Sequence, residues 1–400
     1  MKEYIIASFC LLLGFSASAQ KIKAGVVVFG GNPAGLAAAI QSAHSGVKTV
    51  LVDNGSMDVV NLTAADKAYK IGVYAEFLKR VDSLQKKSHL NNNQNLVPTY
   101  VATVFKGWTD TIKNLTVLKR AIVTEVEKDG KGWEVELKDK REIEADVVID
   151  VTQGNQIAKK AGINAKQFSQ GNGVYADKLY RTSLAIADYP NTYPSVLPGN
   201  YLLAENADNF LLLGGKVDAN ILNGQGAGTA AAYCSFFKTT TKNLDIRKTQ
   251  GELLVFKSQF MKFDDVALSD SNAVAIQKIA VTGILKGTLK GGQFLFLPDS
   301  LVSSEDIRLP VKEYYTRSQI WFLDNKAEKL TLEDVLSLIK FTANRGNELN
   351  KEIEKAWRSL KMQGSFDLKK HVTRRQLAQL LDVYLKPFER GVTLEGNLKN

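Results

Sequence analysis

A strand, a glycine turn, a helix, a second strand and an acid follow one another near the start of the chain, and that order leaves few folds open. Ala24 to Phe29 is a β-branched apolar run containing Val26, Val27 and Val28, the pattern of a strand buried on both faces. It stops at Gly30-Gly31. Asn32-Pro33-Ala34-Gly35 then leads into the helix-forming run Leu36 to Ile40. After Gly46 a second strand is expected over Lys48 to Val52, ending in Asp53. The acid lies about 20 residues beyond the glycines, the separation of a dinucleotide-binding βαβ unit. Gly30 lets the chain leave the strand in a tight turn, and Gly35 lets the helix pack closely on the sheet. The helix N-terminus directs free N–H groups at a pyrophosphate, with Gly31, Pro33 and Ala34 in the same turn. Asp53 can accept both hydroxyls of an adenosine ribose. The middle glycine of the G-x-G-x-x-G pattern falls on Asn32. Asparagine tolerates unusual φ/ψ, and its amide can itself bond a phosphate oxygen.

The first residues carry an address. Lys2 supplies a weak positive start, Ile5 to Phe15 is a short apolar run, and Ala17-Ser18-Ala19 before Gln20 is a small-x-small site. This predicts a secretory signal peptide over 1–19 and an exported protein of the periplasm, cell envelope or extracellular space. Cys10 lies too early for a lipoprotein box, so no lipid anchor is expected. No later stretch approaches the roughly 20 apolar residues of a membrane span. Of the two cysteines, cleavage leaves Cys234, which excludes an internal disulfide and a multi-thiolate cluster. His44, His89 and His371 are scattered, without metal-ligand spacing. A net charge of +10 and a pI of about 9.2 suggest an anionic neighbour, wall polymer or acidic glycan before nucleic acid, or simply solubility. The 400 residues and 44% apolar content predict two or three ordinary globular domains. Asn91 to Asn95 reads as a loop.

Three blocks together resemble a bacterial family of FAD-dependent oxidoreductases. The first is VVVFGGNPAGLAAAIQSAHSGVKTVLVD. The second, WEVELKDKREIEADVVIDVTQGNQIAKKAG, resembles the family's strand pair ending in a small turn, here Asp150-Val151-Thr152-Gln153-Gly154. The third, DNFLLLGGKVDANILNGQGAGTAAAYCSFF, resembles the closing cofactor segment, a strand, a Gly-Gly turn and a helix expected over Gly224 to Phe236. The resemblance implies FAD bound at Gly30, Gly31 and Gly35, its ribose on Asp53, and its ring near Thr152, Gly154, Gly224 and Gly226. A helix start at Gly224 would aim its dipole at the flavin's pyrimidine edge. Leu115 to Val117, Arg120 to Val126 and Trp133 to Leu137 read as strands, with Lys128-Asp129-Gly130 as a hairpin turn. By the same resemblance the Val123 backbone meets the adenine.

The chain also departs from the family. Asp53 is followed by Asn54 to Val60 without the usual Gly-Gly-Met-x-Thr-like segment. The stretch from Asp150 to Gly214 is short for a substrate lid, and the closing segment shows no catalytic His or Cys. Cys234 reads as a small core residue. Two functions stay open: an FAD enzyme transferring hydride from a small organic substrate, the flavin doing the chemistry, and an inert envelope-binding or scaffold protein with a vestigial nucleotide fold. Export favours a tightly held FAD over a diffusible nicotinamide. No residue is singled out as catalytic acid or base.

From about residue 244 the signals turn helical. Phe263-Asp264-Asp265-Val266 precedes a helix capped by Asp270 or Ser271, with Ala273, Ile276, Ile279 and Ala280 on its apolar face and Gly283 as its stop. Phe296-Leu297-Pro298-Asp299 and a helix from about Ser303 follow. This order resembles an S-layer homology repeat. A looser copy runs from Glu348 to Leu385 and keeps the arginine turn Thr373-Arg374-Arg375. Leu332 to Phe341, capped by Thr331, bridges the copies. The repeats imply an anionic wall polymer as partner; a purely structural helical domain is the other reading. The expected architecture is α/β: an FAD/NAD(P)-binding Rossmann-like domain over 20–243, with a parallel sheet and an antiparallel ribbon, then a mainly helical domain over 244–400.

Overall fold

A computed structural model describes residues 21–87, 96–166, 174–186, 196–214 and 219–399. The expected signal peptide, the Asn91–Asn95 loop, His89 and Gly215 of the Gly-Gly turn lie outside them. The elements follow in the order β1 (Lys21–Phe29), α1 (Pro33–His44), β2 (Thr49–Val52), α2 (Ala64–Lys67), α3 (Gly72–Lys87), α4 (Pro98–Thr109), β3 (Leu115–Leu118), β4 (Val123–Asp129), β5 (Gly132–Leu137), β6 (Glu142–Asp150), α5 (Gln156–Lys160), β7 (Ser183–Ile186), β8 (Val196–Pro198), β9 (Phe210–Leu212) and α6 (Ile221–Phe236). The rest is α7 (Ile246–Val255), α8 (Ala273–Thr282), the hairpin β10 (Thr288–Lys290) and β11 (Gln293–Leu295), α9 (Ser304–Tyr314), α10 (Ser318–Asp324), α11 (Leu332–Ala343), α12 (Glu348–Ala356) and α13 (Arg374–Tyr384).

One seven-stranded sheet organises the first part, with strand order β3-β2-β1-β6-β5-β4. β1 pairs in parallel with β2 and β6, and β2 with β3. The β4–β5 ribbon joins antiparallel along the first half of β6, up to Ala145. β9 takes over in parallel at Val148 to Asp150. Thus β6 is flanked on both sides for most of its length, which accounts for its apolar second half. The period-2 alternation divides the core. Val26, Val28 and Leu51 face α1 and α6, while Val27, Phe29, Val50 and Val52 face a second cluster with Trp133 and Phe210.

Two small-residue helices cover the first face. A Cβ on Gly224 would stand 2.1 Å from the Ala34 carbonyl oxygen, and one on Gly228 would stand 2.4 Å from that of Ala38. The glycines of α6 thus let its backbone lie directly on α1, and the Ser42 hydroxyl donates to the Gly228 carbonyl across the seam. α6 begins at Ile221 behind an Asn220 cap. The expected start at Gly224 is corrected by about one turn: Asn220 caps the helix by accepting the Asn223 N–H, which leaves Asn223 inside the first turn.

The helical part forms one continuous apolar cluster with the α1–α6 face. Arg181, 2% exposed, donates to both carboxylate oxygens of Glu313 in α9. Gln250 of α7 donates to the carbonyls of Arg181 and Ser183. α8 ends at Gly283 with φ +79°, as its glycine requires. Its N-cap is Asn272, not Asp270 or Ser271. Asp270 instead receives Arg375, which also pairs with Asp299. Ser303, Thr331 and Thr373 head α9, α11 and α13 in reciprocal capping boxes.

Candidate functional site

The carboxyl ends of β1, β2 and β6 lie side by side. Open α/β sheets bind ligands outside this edge. Gly30 turns the chain there with φ +108°, a conformation that suits glycine. A Cβ on Gly35 would meet the Gly30 carbonyl oxygen at 1.8 Å, so only glycine lets α1 start against this turn. Pro33 opens the helix with φ preset and no N–H to satisfy.

Asn32 does different work from the phosphate contact expected of its amide. Its backbone is extended (φ −72°, ψ 172°), so no glycine is required. Its Oδ1 accepts the Gly35 N–H at 2.9 Å, and its Nδ2 donates to the Val151 carbonyl at 2.7 Å. The amide therefore braces the head of α1 against the end of β6 and keeps the side chain turned into the fold. Glycine could make neither bond.

The acid at the end of β2 is covered. Asp53 is 1% exposed. Its Oδ1 accepts the Ser56 hydroxyl at 2.7 Å and the Met57 N–H at 3.1 Å. The Ser56 hydroxyl in turn accepts the Gly31 N–H at 2.9 Å. One serine thus makes the two contacts that this edge offers a nucleotide, a hydroxyl given to the acid and an oxygen given to the turn. Sequence reading passed over Ser56; its place three residues after the acid was the available signal.

Beside the turn, Asp150 is fully buried, and burial pushes its carboxyl above the usual range. It accepts the N–H and hydroxyl of Thr152 and the Ala158 N–H. The Thr152 hydroxyl also accepts the Gln156 N–H. Gly154, with φ +68°, donates its N–H to the Gly214 carbonyl. Thr152 and Gly154 therefore lie next to the Asn32 brace and tie β6 to the end of β9.

The remaining expected residues border the same edge: Val123 follows Ala121, whose N–H donates to the Asp53 carbonyl at 2.9 Å. Gly224 packs on α1, and Gly226 faces the Leu184 carbonyl, 3.1 Å from where a Cβ would stand. Neither opens α6, which begins at Ile221. At the real start of α6, the Ile221 N–H is taken by Asp66 at 2.8 Å and the Asn223 N–H by the Asn220 side chain. Asp66 is 1% exposed, and its burial raises its carboxyl's pKa. A carboxyl group of the chain therefore meets the N-terminus of α6. Val123 lies in β4, where its carbonyl accepts Lys160 Nζ at 2.7 Å. Cys234 is buried in α6, and burial pushes its thiol up to about 12, which keeps it protonated and unreactive. Among the described residues no group of His, Cys, Asp and Glu is arranged to hold a metal ion.

The parallel edge, the glycine turn and the acid define a dinucleotide-binding α/β unit of the Rossmann-like type. Residues 25–196, which contain the turn, the acid and the Thr152–Gly154 segment, match the sequence profile of the family described as FAD dependent oxidoreductase. No curated protein matches the chain. Among solved structures, the chain is similar to an anhydrotetracycline hydroxylase from Streptomyces rimosus, with 15% identity, 37% of this chain and 35% of that chain covered, and a TM-score of 0.28. It is also similar to a p-nitrophenol 4-monooxygenase from Pseudomonas putida (17% identity, 35% and 43% covered, TM-score 0.27). A thioredoxin reductase from T. acidophilum gives 18% identity, 37% and 38% covered, and a TM-score of 0.23. The chain spans less than half the length of each.

Proposed function

We propose that the chain is an exported FAD-dependent oxidoreductase that takes hydride from a small organic substrate. The observation that carries this reading is the coincidence of the family match with the glycine turn at the parallel sheet edge. The cradle fits a dinucleotide in its backbone path: Gly30 and Gly35 admit no side chain, and the Asn32 side chain is directed inward. When bound, FAD supplies the hydride acceptor. The chain's own part is to hold it. The turn from Gly30 to Gly35 would take the pyrophosphate and Asp53 the ribose, with Thr152 and Gly154 flanking the ring side. The Gly31 N–H and the Asp53 carboxylate become available when the Ser56 hydroxyl yields both of its bonds. The test is the visible absorption spectrum of the purified protein after incubation with FAD and removal of the excess. Retained flavin bands that vanish in Asp53→Ala are expected; a colourless protein would overturn the reading.

An inert envelope-binding protein is the second reading, and one observation favours it. The donors and the acid that a cofactor needs already have partners within the chain, with Asp66 on α6 and Ser56 on Asp53. An anionic wall polymer held by the arginine turn gains less support. Arg374 donates to the Phe296 and Lys286 carbonyls, and Arg375 is clamped between Asp270 and Asp299. Both guanidinium groups brace the helical part, so replacing them would loosen the fold before it removed a polymer contact.

A further inference from the structure

At the opposite end of α1 from the nucleotide turn lies a cavity of about 290 Å³, walled by the last turn of α1, by α3 and α4, and by the end of α7. We propose that it is a second ligand site, taking a small carboxylate with a planar apolar body. α1 has 12 residues, so at about 1.5 Å per residue the cavity stands well clear of the turn.

Two donors make the case. Trp108 is 2% exposed, and its Nε1 has no hydrogen-bond partner among the described residues. Arg80 stacks over the Trp108 ring, its guanidinium carbon 4.5 Å from the ring centroid, and its buried Nε likewise has no partner. Both groups are donors only, and a buried donor left unmet is unfavourable. Gln41, Gln225, Glu76 and Lys79 of the wall are matched. Gln225 accepts the Val73 N–H and donates to Gln41, closing the floor. Glu76 pairs with Lys79 at 3.1 Å and reaches Arg80 only at 4.0 Å. Glu76 is the chain's own carboxylate beside Arg80, and neither buried N–H reaches it. A ligand carboxylate meets both once the Arg80 and Trp108 side chains turn toward the cavity, and its charge suits Arg80.

The rest of the wall selects the body of the ligand. The His44 ring stands 6.2 Å from Trp108 and 6.3 Å from Phe256. Burial and the nearby Arg80 hold His44 below its ordinary value, so near pH 7 it presents an uncharged ring. Three rings around a space of this size suit one planar group. Inorganic phosphate would satisfy the donors and leave the rings without a partner.

The test is isothermal titration calorimetry of the full chain with sodium benzoate, benzyl alcohol and inorganic phosphate. Saturable benzoate binding is expected, at least tenfold tighter than either control. Arg80→Gln and Trp108→Phe should each weaken benzoate at least threefold. Trp108→Phe keeps one aromatic ring in the core while removing the N–H and part of the indole's area. Its effect on benzoate is therefore read against benzyl alcohol, which feels the same loss of area and lacks the carboxylate, and it stands as the check if Arg80→Gln lowers the melting temperature. Benzoate heats that match benzyl alcohol, phosphate binding as tight as benzoate, or affinities unmoved by Trp108→Phe would overturn the assignment.

Discussion

Ser56 decides what Asp53 can do. A single hydroxyl satisfies both the acid and the Gly31 N–H, so a nucleotide must displace a bond the chain already has. Removing that hydroxyl frees the Gly31 N–H and leaves Asp53 Oδ1 with the Met57 N–H, and the incoming pyrophosphate and ribose supply the missing partners. Ser56→Ala is therefore expected to tighten FAD binding several-fold, read by titrating the flavin spectrum. Weaker binding would mean that Ser56 itself holds the cofactor. Gly35 works by absence. With 1.8 Å between a new Cβ and the Gly30 carbonyl oxygen, Gly35→Ala must push α1 off the turn. It should destabilise the protein by roughly 1–3 kcal/mol in urea unfolding and abolish flavin retention. Cys234 gives a third check: burial keeps it a thiol, so maleimide should label it slowly in the native protein at pH 8 and at once in denaturant.

At the scale of elements, the α1–α6 seam brings two helix backbones into close contact. Gly224 and Gly228 are four apart and face Ala34 and Ala38, also four apart. Two helices can approach this closely only when one carries glycine along the line of contact and the other nothing larger than alanine or serine. Gly228→Val should cost more stability than Gly224→Ala, because it adds volume where a Cβ alone already stands 2.4 Å from a carbonyl. Chevron or equilibrium unfolding in urea reads the order. The Arg181–Glu313 pair links α9 to the first part of the chain. Arg181 holds the Glu313 carboxyl below its ordinary 4.5. A depressed carboxyl contributes stability that is present above the unfolded value and is lost as pH falls through the folded one. Melting temperature should therefore drop more steeply below about pH 4.5 in the parent than in Glu313→Gln. Glu313→Gln should also be less stable at pH 7.

At the scale of the whole molecule, the α/β part and the helical part share one apolar cluster. Arg247, 5% exposed, lies at their junction, held by the carbonyls of Arg181 and Arg390 and by the Gln250 side chain. Burial without a paired carboxylate lowers its pKa to about 10. A junction with shared core and buried charge cannot open cheaply. Calorimetry should show one unfolding transition, and residues 20–243 expressed alone should aggregate. Two separated transitions would show the halves to be independent.

Much of this was legible in the amino-acid sequence. Periodicity marked β1, α1 and β2; Thr331 and Ser303 marked α11 and α9; Gly283 marked the end of α8. These are local preferences, set by backbone strain, capping and the spacing of apolar residues, and neighbours a few positions away are enough to enforce them. The candidate turn, with Gly30, Gly35 and Asp53, was legible for the same reason. What Asn32, Asp53, Gly224 and the arginines at 374 and 375 do was not. Each depends on a partner far along the chain: Val151 for Asn32, Ala34 for Gly224, Phe296 and Asp270 for the arginines. Sequence spacing carries no record of which distant carbonyl or carboxylate will stand within 3 Å of a donor. The local chain thus determined where a nucleotide fold begins, and only the tertiary structure decided which of its polar groups are already in use.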